Sequence, residues 1–321
     1  MKIFVIGSTG VLGRRVVKIL AKTHELYCLV RSEGKKEQIE KIGARAIVGN
    51  LYDKDLLVKV TQNMDGLLHL ATAIPSMNKT RPKDWEENNR LRTEAVKILI
   101  EVVKKNRIIF YIQNSVLFSY GHRNGEWVNE KTKFVRPMPT YCKLSEEYRY
   151  ILESMIEGEE YIEHEIKNGF PGIILRFGMF YSSDSHTTTQ IINMVQKGKF
   201  PIIADGSSFI NLIHVDDAAQ AVVDAVKSYE PIMGKVFNIS DDLPVSYQEF
   251  LPFLAQELQV KKPRKVPVFL AKLVAGKYTV NIVLSSYRNE NLLFKQSTGW
   301  KPAYPTYKEG YKQVLEELKY E

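Results

Sequence analysis

Tyr141 and Lys143 stand two residues apart in the segment PMPTYCKLSEEY, and side chains of these types could move a proton together. A free tyrosine titrates near pH 10, roughly, so a neighbouring cation is needed to bring its hydroxyl towards working pH. Residues four apart share one face of a helix, whereas residues two apart are turned by about 200°. Pro137 and Pro139 favour a late helix start, which would leave Tyr141 on non-helical backbone near Lys143.

A second candidate site is the glycine-rich segment GSTGVLG, with glycines at positions 7, 10 and 13. It follows the first apolar strand and opens the first helical segment, which is the context that a dinucleotide-binding turn requires. Gly7 would permit the tight turn, Gly10 the approach of a pyrophosphate, and Gly13 close packing of helix on strand. The helix N-terminus would offer N–H groups to the phosphates, and Thr9, Val11 and Leu12 would line the turn.

The end of the second strand, LVRS, indicates which dinucleotide is bound. An NAD site usually carries an acidic residue there, for the ribose 2′-hydroxyl. Here Arg31 occupies that place, with Ser32 beside it and Lys35 and Lys36 just beyond. A guanidinium suits a 2′-phosphate, so the sequence favours NADP over NAD. Two alternatives stay open: Glu33 could turn towards a ribose, and Arg31 could be a plain surface residue.

The elements that must position these residues alternate between strand and helix. Helical periodicity covers Val11 to Lys22 and the long segment from Trp85 to Lys105. The alternation predicts an α/β fold, a Rossmann-type doubly wound parallel sheet with ligands at the carboxyl ends of its strands. Six strand segments are predicted in this part of the chain: KIFVIG, ELYCLV, GARAIVGN, GLLHLA, RIIFYI and PGIILRF.

The second half of the chain is less regular and predicts a smaller, mainly C-terminal substrate lobe. We expect residues 1–175 with about 212–240 to form the dinucleotide-binding domain, and about 176–211 with 241–321 to form the lobe. One further strand is predicted at KVFNIS. Four helices are predicted at Asp216–Val226, capped by Asp216 or Asp217, and at Ser246–Leu258, Val268–Ala275 and Thr306–Leu318.

The bulk composition bounds the class of protein. The 321 residues are 44% hydrophobic and 26% charged, without an apolar run long enough for a transmembrane helix or the features of a signal peptide. Cys28 and Cys142 fit neither a disulfide framework nor a zinc site, so a reducing cytoplasm is expected. The formal charge is +8, but the densest basic cluster, Lys261–Lys265, reads as a solvated loop, so neither nucleic-acid nor membrane binding is expected. No metal is expected either, because His214 before Asp216 and Asp217 reads more simply as a helix cap.

Several segments carry a combined family signature: the glycine spacing is GxxGxxG, GNLYD follows the third strand, and HLA ends the fourth. Together with LRFGMFY, LIHVDDAAQAV and STGWKPAYPTYKEG, they resemble the short-chain dehydrogenase/reductase superfamily, in its extended and atypical branches, which include nucleotide-sugar epimerases and dehydratases. LRFGMFY is similar to the segment under the nicotinamide, LIHVDDAAQAV to the family's late motif, and STGWKPAYPTYKEG to its C-terminal signature. The likeness covers nearly the whole chain.

The resemblance implies roles for individual residues. Ser115 would be the catalytic serine that holds a substrate oxygen, and Lys143 would anchor the nicotinamide ribose. Thr93 would pack under the site. The cofactor would also meet Asn50, Leu51, Ala71, Thr72, Ala73, Phe177, Gly178 and Met179, and the substrate would meet Tyr181 and His186. A phosphorylated or nucleotide-linked small molecule is the implied substrate, and a homodimer the implied assembly.

The family's tyrosine and lysine are four residues apart, and no YxxxK occurs in this segment of the chain. Three hypotheses stay open. Tyr141 reaches the substrate from a displaced position; or Lys143 keeps the ribose while Tyr120, Tyr181 or His186 supplies the proton; or catalysis is lost. The first two predict a reductase or epimerase that moves a hydride between nicotinamide and a carbinol or ketone carbon. The third predicts a non-catalytic NADP-binding sensor or scaffold.

Overall fold

A seven-stranded sheet organises the molecule, with the strand order β12-β7-β5-β4-β1-β2-β3 and every neighbouring pair parallel. The computed structural model describes residues 1–75, 82–134 and 146–319. Its strands are β1 Lys2–Ile6, β2 Glu25–Val30, β3 Arg45–Val48, β4 Gly66–His69, β5 Phe110–Val116, β6 Trp127–Val128, β7 Gly172–Phe177, β8 Met179–Tyr181, β9 Ile202–Ile203, β10 Phe209–Ile210, β11 Leu212–His214, β12 Val236–Ile239, β13 Val245–Ser246, β14 Lys265–Val266 and β15 Arg288–Asn289.

Helices cover both faces of this sheet and form the second lobe. They are α1 Val11–Leu20, α2 Lys36–Glu40, α3 Lys54–Val60, α4 Glu86–Arg92, α5 Glu94–Asn106, α6 Glu146–Lys167, α7 His186–Gln196, α8 Val215–Lys227, α9 Tyr229–Ile232, α10 Tyr247–Glu257, α11 Val268–Leu284, α12 Leu292–Thr298 and α13 Tyr307–Lys319. Short 3₁₀ turns occupy Glu33–Lys35, Pro82–Trp85 and Leu117–Tyr120. The predicted α/β Rossmann-type fold is confirmed.

The order of the strands fixes where a ligand can bind. The chain runs outward from β1 through β2 and β3 on one side, and through β4, β5, β7 and β12 on the other. The connections therefore diverge between β1 and β4, and a crevice opens there at the carboxyl ends of the strands. The glycine turn after β1 and residues 70–75 after β4 both lie at this point.

Three apolar clusters hold the elements together. Two lie on opposite faces of the sheet, one under α1 and α8 and the other under α3 and α5. The third joins α7, α10, α11 and α13, and it gives the second lobe its own core. Phe294 and Trp300 lie within the segment predicted as the lobe, but they pack in the sheet core. The predicted domain limits otherwise stay a prediction.

Two helix predictions need correction. The long helix expected at Trp85–Lys105 is two helices, α4 and α5. They meet at Thr93, where the backbone is distorted from regular helix angles (φ −114°, ψ −71°) and the hydroxyl donates a hydrogen bond to the Asn89 carbonyl. Helix α8 is capped by His214 rather than by Asp216 or Asp217, since the His214 Nδ1 accepts the Asp216 N–H. The helix predicted at Val268–Ala275 is the first part of α11, which is interrupted at Gly276 (φ 82°, ψ 157°) before a second helical part continues to Leu284.

Candidate active site

The glycine turn has the backbone geometry that its sequence predicts. Gly7 adopts φ +86°, and a Cβ there would lie 2.5 Å from the Ala71 nitrogen. A Cβ on Gly13 would overlap the carbonyl oxygen of Gly7, so helix α1 can pack this closely on the turn only with glycine. Gly10 differs, since the nearest atom to its Cβ would be the Gly7 oxygen at 3.4 Å. The open side of the turn is therefore at Gly10, where a ligand could approach the backbone.

The first turn of α1 is suited to bind an anion. Its N-cap is Gly10, no side chain caps it, and its first turn carries no acidic residue. The N–H groups at this end have no partner within the helix, and the helix dipole makes this end partly positive. A bound pyrophosphate would satisfy both features, so the residues present fit a dinucleotide cofactor.

One continuous cavity of about 920 Å³ starts at this turn and extends into the second lobe. All the cofactor residues predicted within the described part of the chain line it, and His186 does too. These residues are Gly7, Thr9, Gly10, Val11, Leu12, Gly13, Arg31, Ser32, Asn50, Leu51, Ala71, Thr72, Ala73, Phe177, Gly178 and Met179. The sheet therefore brings together segments that are widely separated in sequence.

Two cations and a hydroxyl border the cavity at the end of β2. Arg31, Ser32 and Lys35 are exposed and line it, whereas Glu33 is absent from the lining. The sequence predicts no separate role for Lys35. The short 3₁₀ turn Glu33–Lys35 places it in the same cavity wall as Arg31. The acidic side chain that does border this end, Glu87, is paired with Arg90 at 3.7 Å and accepts a hydrogen bond from Tyr52.

The far end of the cavity is apolar and was not predicted. Its walls are aromatic and aliphatic side chains from α7, β10, α10, α11 and the loops next to them: Ile191, Phe200, Phe209, Ile210, Tyr247, Phe250, Ile282, Val283 and Tyr287. Thr279 and Ser285 add hydroxyls. No Lys, Arg, Asp or Glu of the described residues lines this end. No motif marks these positions in the sequence, since they come together only when the lobe folds over the sheet.

Ser115 does not line the cavity. Its hydroxyl donates a hydrogen bond of 2.5 Å to Glu159 of α6, and both residues are buried. Glu159 also pairs with the guanidinium of Arg176, which is the neighbour of Ser115 across β5 and β7. Along β5 it is Asn114 and Val116 that face the cavity, followed by Phe118. The predicted catalytic serine thus lies among the ion pairs behind the sheet, and its catalytic role stays a prediction.

Tyr141 and Lys143 lie outside the described residues, so their predicted roles also stay predictions. Two of the alternative proton donors are buried away from the cavity wall. Tyr120 donates to the Asn129 carbonyl and accepts from Arg176 at 2.7 Å, and burial raises its pKa to about 12. Tyr181 stacks on Tyr311, with ring centroids 4.6 Å apart, and burial raises its pKa far above the ordinary value.

His186 is the alternative donor that borders the cavity. It begins α7, and its side chain is exposed. The position of His186 is consistent with the substrate contact that the sequence predicts. Tyr181 was predicted to make such a contact too, but its buried ring would have to leave the aromatic core. Among the three alternatives to Tyr141, the geometry therefore favours His186.

The acidic pair after His214 has a structural role. Asp217 accepts hydrogen bonds from the backbone N–H groups of Ala303, at 2.6 Å, and Tyr304, at 3.0 Å. The Trp300 indole donates to the Asp217 carbonyl oxygen. These bonds explain why LIHVDDAAQAV and STGWKPAYPTYKEG occur together: the first motif holds the second against α8.

The strand order, the glycine turn and the cavity at the switch point define a dinucleotide-binding Rossmann protein of the extended short-chain dehydrogenase/reductase superfamily. Within it, the chain belongs to the 3-beta hydroxysteroid dehydrogenase/isomerase family, whose model matches residues 4–270. The recognition made from the sequence motifs is confirmed at the level of the superfamily.

Individual relatives are distant but cover most of the chain. A 3-diazoavenalumate denitrifying reductase from Streptomyces is 23% identical over 97% of this chain and 99% of its own length. A ketoreductase from Stigmatella aurantiaca, named for a farnesylated dihydroquinoline-1-oxide, is 24% identical over 81% of this chain and 74% of its own. The solved UDP-glucose 4-epimerase of Thermotoga maritima superimposes with a TM-score of 0.76, at 18% identity over 100% of this chain and 99% of its own. The last likeness supports the fold alone.

Proposed function

We propose that the protein is an NADP(H)-dependent reductase that acts on a carbonyl group, or a similar electrophilic centre, of an apolar ring-containing small molecule. The observation that carries the proposal is the single cavity, which has a dinucleotide-type turn and two cations at one end and an aromatic wall without charge at the other. The relatives from Streptomyces and Stigmatella aurantiaca are both named as reductases, which agrees with this reaction class.

The cofactor end supports a phosphorylated dinucleotide. The N-terminus of α1 would hold the pyrophosphate, and Gly10 would let it approach the backbone. Arg31, Ser32 and Lys35 would meet a 2′-phosphate through charge and N–H donors. When bound, the nicotinamide would supply the hydride. The preference for NADP over NAD rests on these three side chains.

The far end supports an apolar substrate. A nucleotide-linked sugar, which the sequence resemblance implied, would bring two phosphates, and phosphates in protein sites are met by Arg, Lys or helix N-termini. The described wall offers aromatic rings instead, of the kind that bind apolar ring systems. Thr279, Ser285 and Tyr287 could orient a few polar atoms of the substrate.

Reduction of a carbonyl carbon by hydride also needs one proton for the oxygen. In our proposal this proton comes from Tyr141 or His186. His186 borders the cavity with an exposed imidazole, which could carry and donate this proton, whereas the Tyr141 hydroxyl would need a neighbouring cation, such as Lys143. Val116, the last residue of β5, and Phe118, just after it, face the cavity and would exclude water from the reacting carbon.

One observation favours a second candidate, a non-catalytic NADP-binding protein. The cavity-facing positions at the end of β5 are Asn114, Val116 and Phe118, so no hydroxyl from this strand reaches the cavity. A protein of this kind would bind NADPH and respond to it without turnover. Its cofactor end would be the same, so cofactor binding does not separate the two candidates.

Turnover separates them. Purified protein would be incubated with NADPH and a panel of apolar cyclic ketones, with UDP-sugars as the contrasting class. We expect NADPH consumption with at least one apolar ketone and none with the sugars. Tight NADPH binding without consumption would support the sensor, and interconversion of sugars without net consumption would support an epimerase.

Variants connect the activity to the cavity. Ile282→Lys puts a charge into the apolar wall, and we expect it to lower turnover while NADPH binding is kept. Leu292→Lys is the matched control, because Leu292 is 57% exposed and lies outside the cavity lining. Tyr141→Phe and His186→Gln identify the proton donor, and we expect one of them to reduce turnover at least about 100-fold. If both keep full turnover, neither residue donates the proton.

A further inference from the structure

The part of α11 before Gly276 is apolar on both of its sides. Its Ala271 packs in the core of the second lobe, and Val268 and Ala275 pack against that core. The opposite side of this part is also apolar but lies in solvent: Phe269 is 65% exposed, Leu273 74% and Val274 86%. Leu270 extends this group at 44%. A helix that is apolar all round normally lies within a protein core or against lipid, so this exposed face needs an occupant.

The charge around this face is of one sign. From Leu258 to Asn289 the chain has seven Lys and Arg residues and no Asp or Glu, so this stretch carries +7 of the formal charge of +8. Four of the seven lie in the loop and strand just before α11, at Lys261, Lys262, Arg264 and Lys265, and all four are exposed. None of these four forms a salt bridge with an acid among the described residues. The charge of Lys265 does contribute to lowering the pKa of Asp205.

We propose that the exposed face of α11 and the basic segment before it dock the protein on the surface of an anionic lipid bilayer. Exposed Phe, Leu and Val side chains would enter the boundary between headgroups and acyl chains. The adjacent lysines and Arg264 would meet the lipid phosphates. No helix of the described residues is long and apolar enough to cross a membrane, so the contact is peripheral.

The same features disfavour two other occupants. A second copy would, in a symmetric contact, bring two faces of high positive charge together. A nucleic acid would satisfy the charge but would leave Phe269, Leu273 and Val274 unmatched. In this proposal, Lys261–Lys265 binds lipid phosphates instead of forming the solvated loop that the sequence predicts. The protein would then bind a membrane surface, which the sequence did not predict.

The proposed lipid contact lies next to the cavity, because α11 contributes residues to both. At Gly276 the backbone is not helical (φ 82°, ψ 157°), and the helical part after it contributes Thr279, Ile282 and Val283 to the apolar end of the cavity. Two consecutive helical parts, joined at Gly276, therefore border the proposed lipid contact and the apolar wall.

Vesicle flotation tests the proposal on the full chain, using phosphatidylcholine vesicles with and without phosphatidylglycerol. We expect the protein to float with the anionic vesicles, and binding to weaken as salt is added. The triple variant Phe269→Ser, Leu273→Ser, Val274→Ser should bind them at least about tenfold more weakly. The matched control is Val48→Ser, Ile109→Ser, Leu292→Ser, which removes three exposed apolar side chains elsewhere and should float like the wild type.

Each variant is expected to fold, because the substituted side chains are exposed. Circular dichroism and NADPH binding would check this. Lys261→Glu with Lys262→Glu tests the charge separately and should also weaken flotation. The proposal is overturned if the wild type ignores anionic vesicles at low salt, or if the triple variant and its control float alike. It is also overturned if light scattering shows a dimer that the triple variant dissociates while the wild type binds no vesicles.

Discussion

The Ser115 hydroxyl donates a hydrogen bond to the Glu159 carboxylate behind the sheet, and this carboxylate is also the ion-pair partner of Arg176. The three side chains link β5, α6 and β7, and each is no more than 4% exposed. Helix α6 follows directly on the segment that holds Tyr141 and Lys143. We therefore consider the Ser115–Glu159 pair as a support for α6.

This relationship predicts different effects for three substitutions. Glu159→Gln should lower the free energy of unfolding by about 3 kcal/mol, because it removes the charge paired with a buried guanidinium. Ser115→Ala should cost about 1–2 kcal/mol, the loss of one hydrogen bond to a charged group. Glu157→Gln is the control, since its ion pair with Lys97 is exposed and should be worth less than about 1 kcal/mol. Urea denaturation measures all three.

The kinetics of Ser115→Ala separate a support from a catalytic residue. A support predicts less than about a tenfold fall in kcat, whereas loss of a group that stabilises the reacting oxygen costs about 100-fold or more. A fall of the larger size, with a stable protein and unchanged NADPH affinity, would restore the catalytic assignment.

Gly10 and Gly13 should respond in opposite ways to alanine. Gly10→Ala leaves the free protein stable, because the new Cβ would be 3.4 Å from its nearest neighbour, but the methyl group would project into the cofactor space. Gly13→Ala forces a Cβ against the Gly7 carbonyl and should cost about 1–3 kcal/mol. Thermal unfolding with and without NADPH tests both, and equal losses of stability in the free proteins would contradict the assignment.

Arg31→Asp should weaken NADPH binding by at least tenfold, about 1.4 kcal/mol, and NADH binding much less. The reason is that only NADPH carries the 2′-phosphate that the guanidinium would bind. Lys41→Asp is the matched charge reversal, since Lys41 pairs with Glu37 and lies outside the cavity lining. Fluorescence titration gives both affinities, and equal losses for the two cofactors would remove the 2′-phosphate assignment.

Acid should loosen the contact between α1 and the loop before α7. Burial opposes the charge of Asp184, but hydrogen bonds from Arg15 and Ser182 outweigh it and lower its pKa from 3.8 to about 2. A carboxylate with a lowered pKa in the folded state stabilises it above about pH 4, and this contribution is lost as the pH falls towards 2. Asp184→Asn should therefore make the free energy of unfolding less dependent on pH between about pH 4 and pH 2. Asp55→Asn is the control, because Asp55 is exposed.

The sequence determined the fold and the cofactor end of the site, because both depend on local patterns. Alternating strands and helices lead to a doubly wound sheet, and in such a sheet the turn after the first strand lies at the switch point. The spacing of Gly7, Gly10 and Gly13 then indicates a nicotinamide dinucleotide without any knowledge of distant contacts, whereas the choice of NADP from Arg31 stays a prediction. The predicted lining residues of the described chain accordingly share one cavity.

The tertiary structure decided which side chains face that cavity. Strand β5 is buried on both faces and has Gln113, Asn114 and Ser115 in a row, so its sequence has no polar alternation to indicate the cavity side. Neighbouring residues on a strand point to opposite faces, which turns Ser115 towards Glu159 and Val116 towards the cavity. The apolar end likewise depends on α7, α10 and α11 folding over the sheet, a long-range packing that no local pattern encodes.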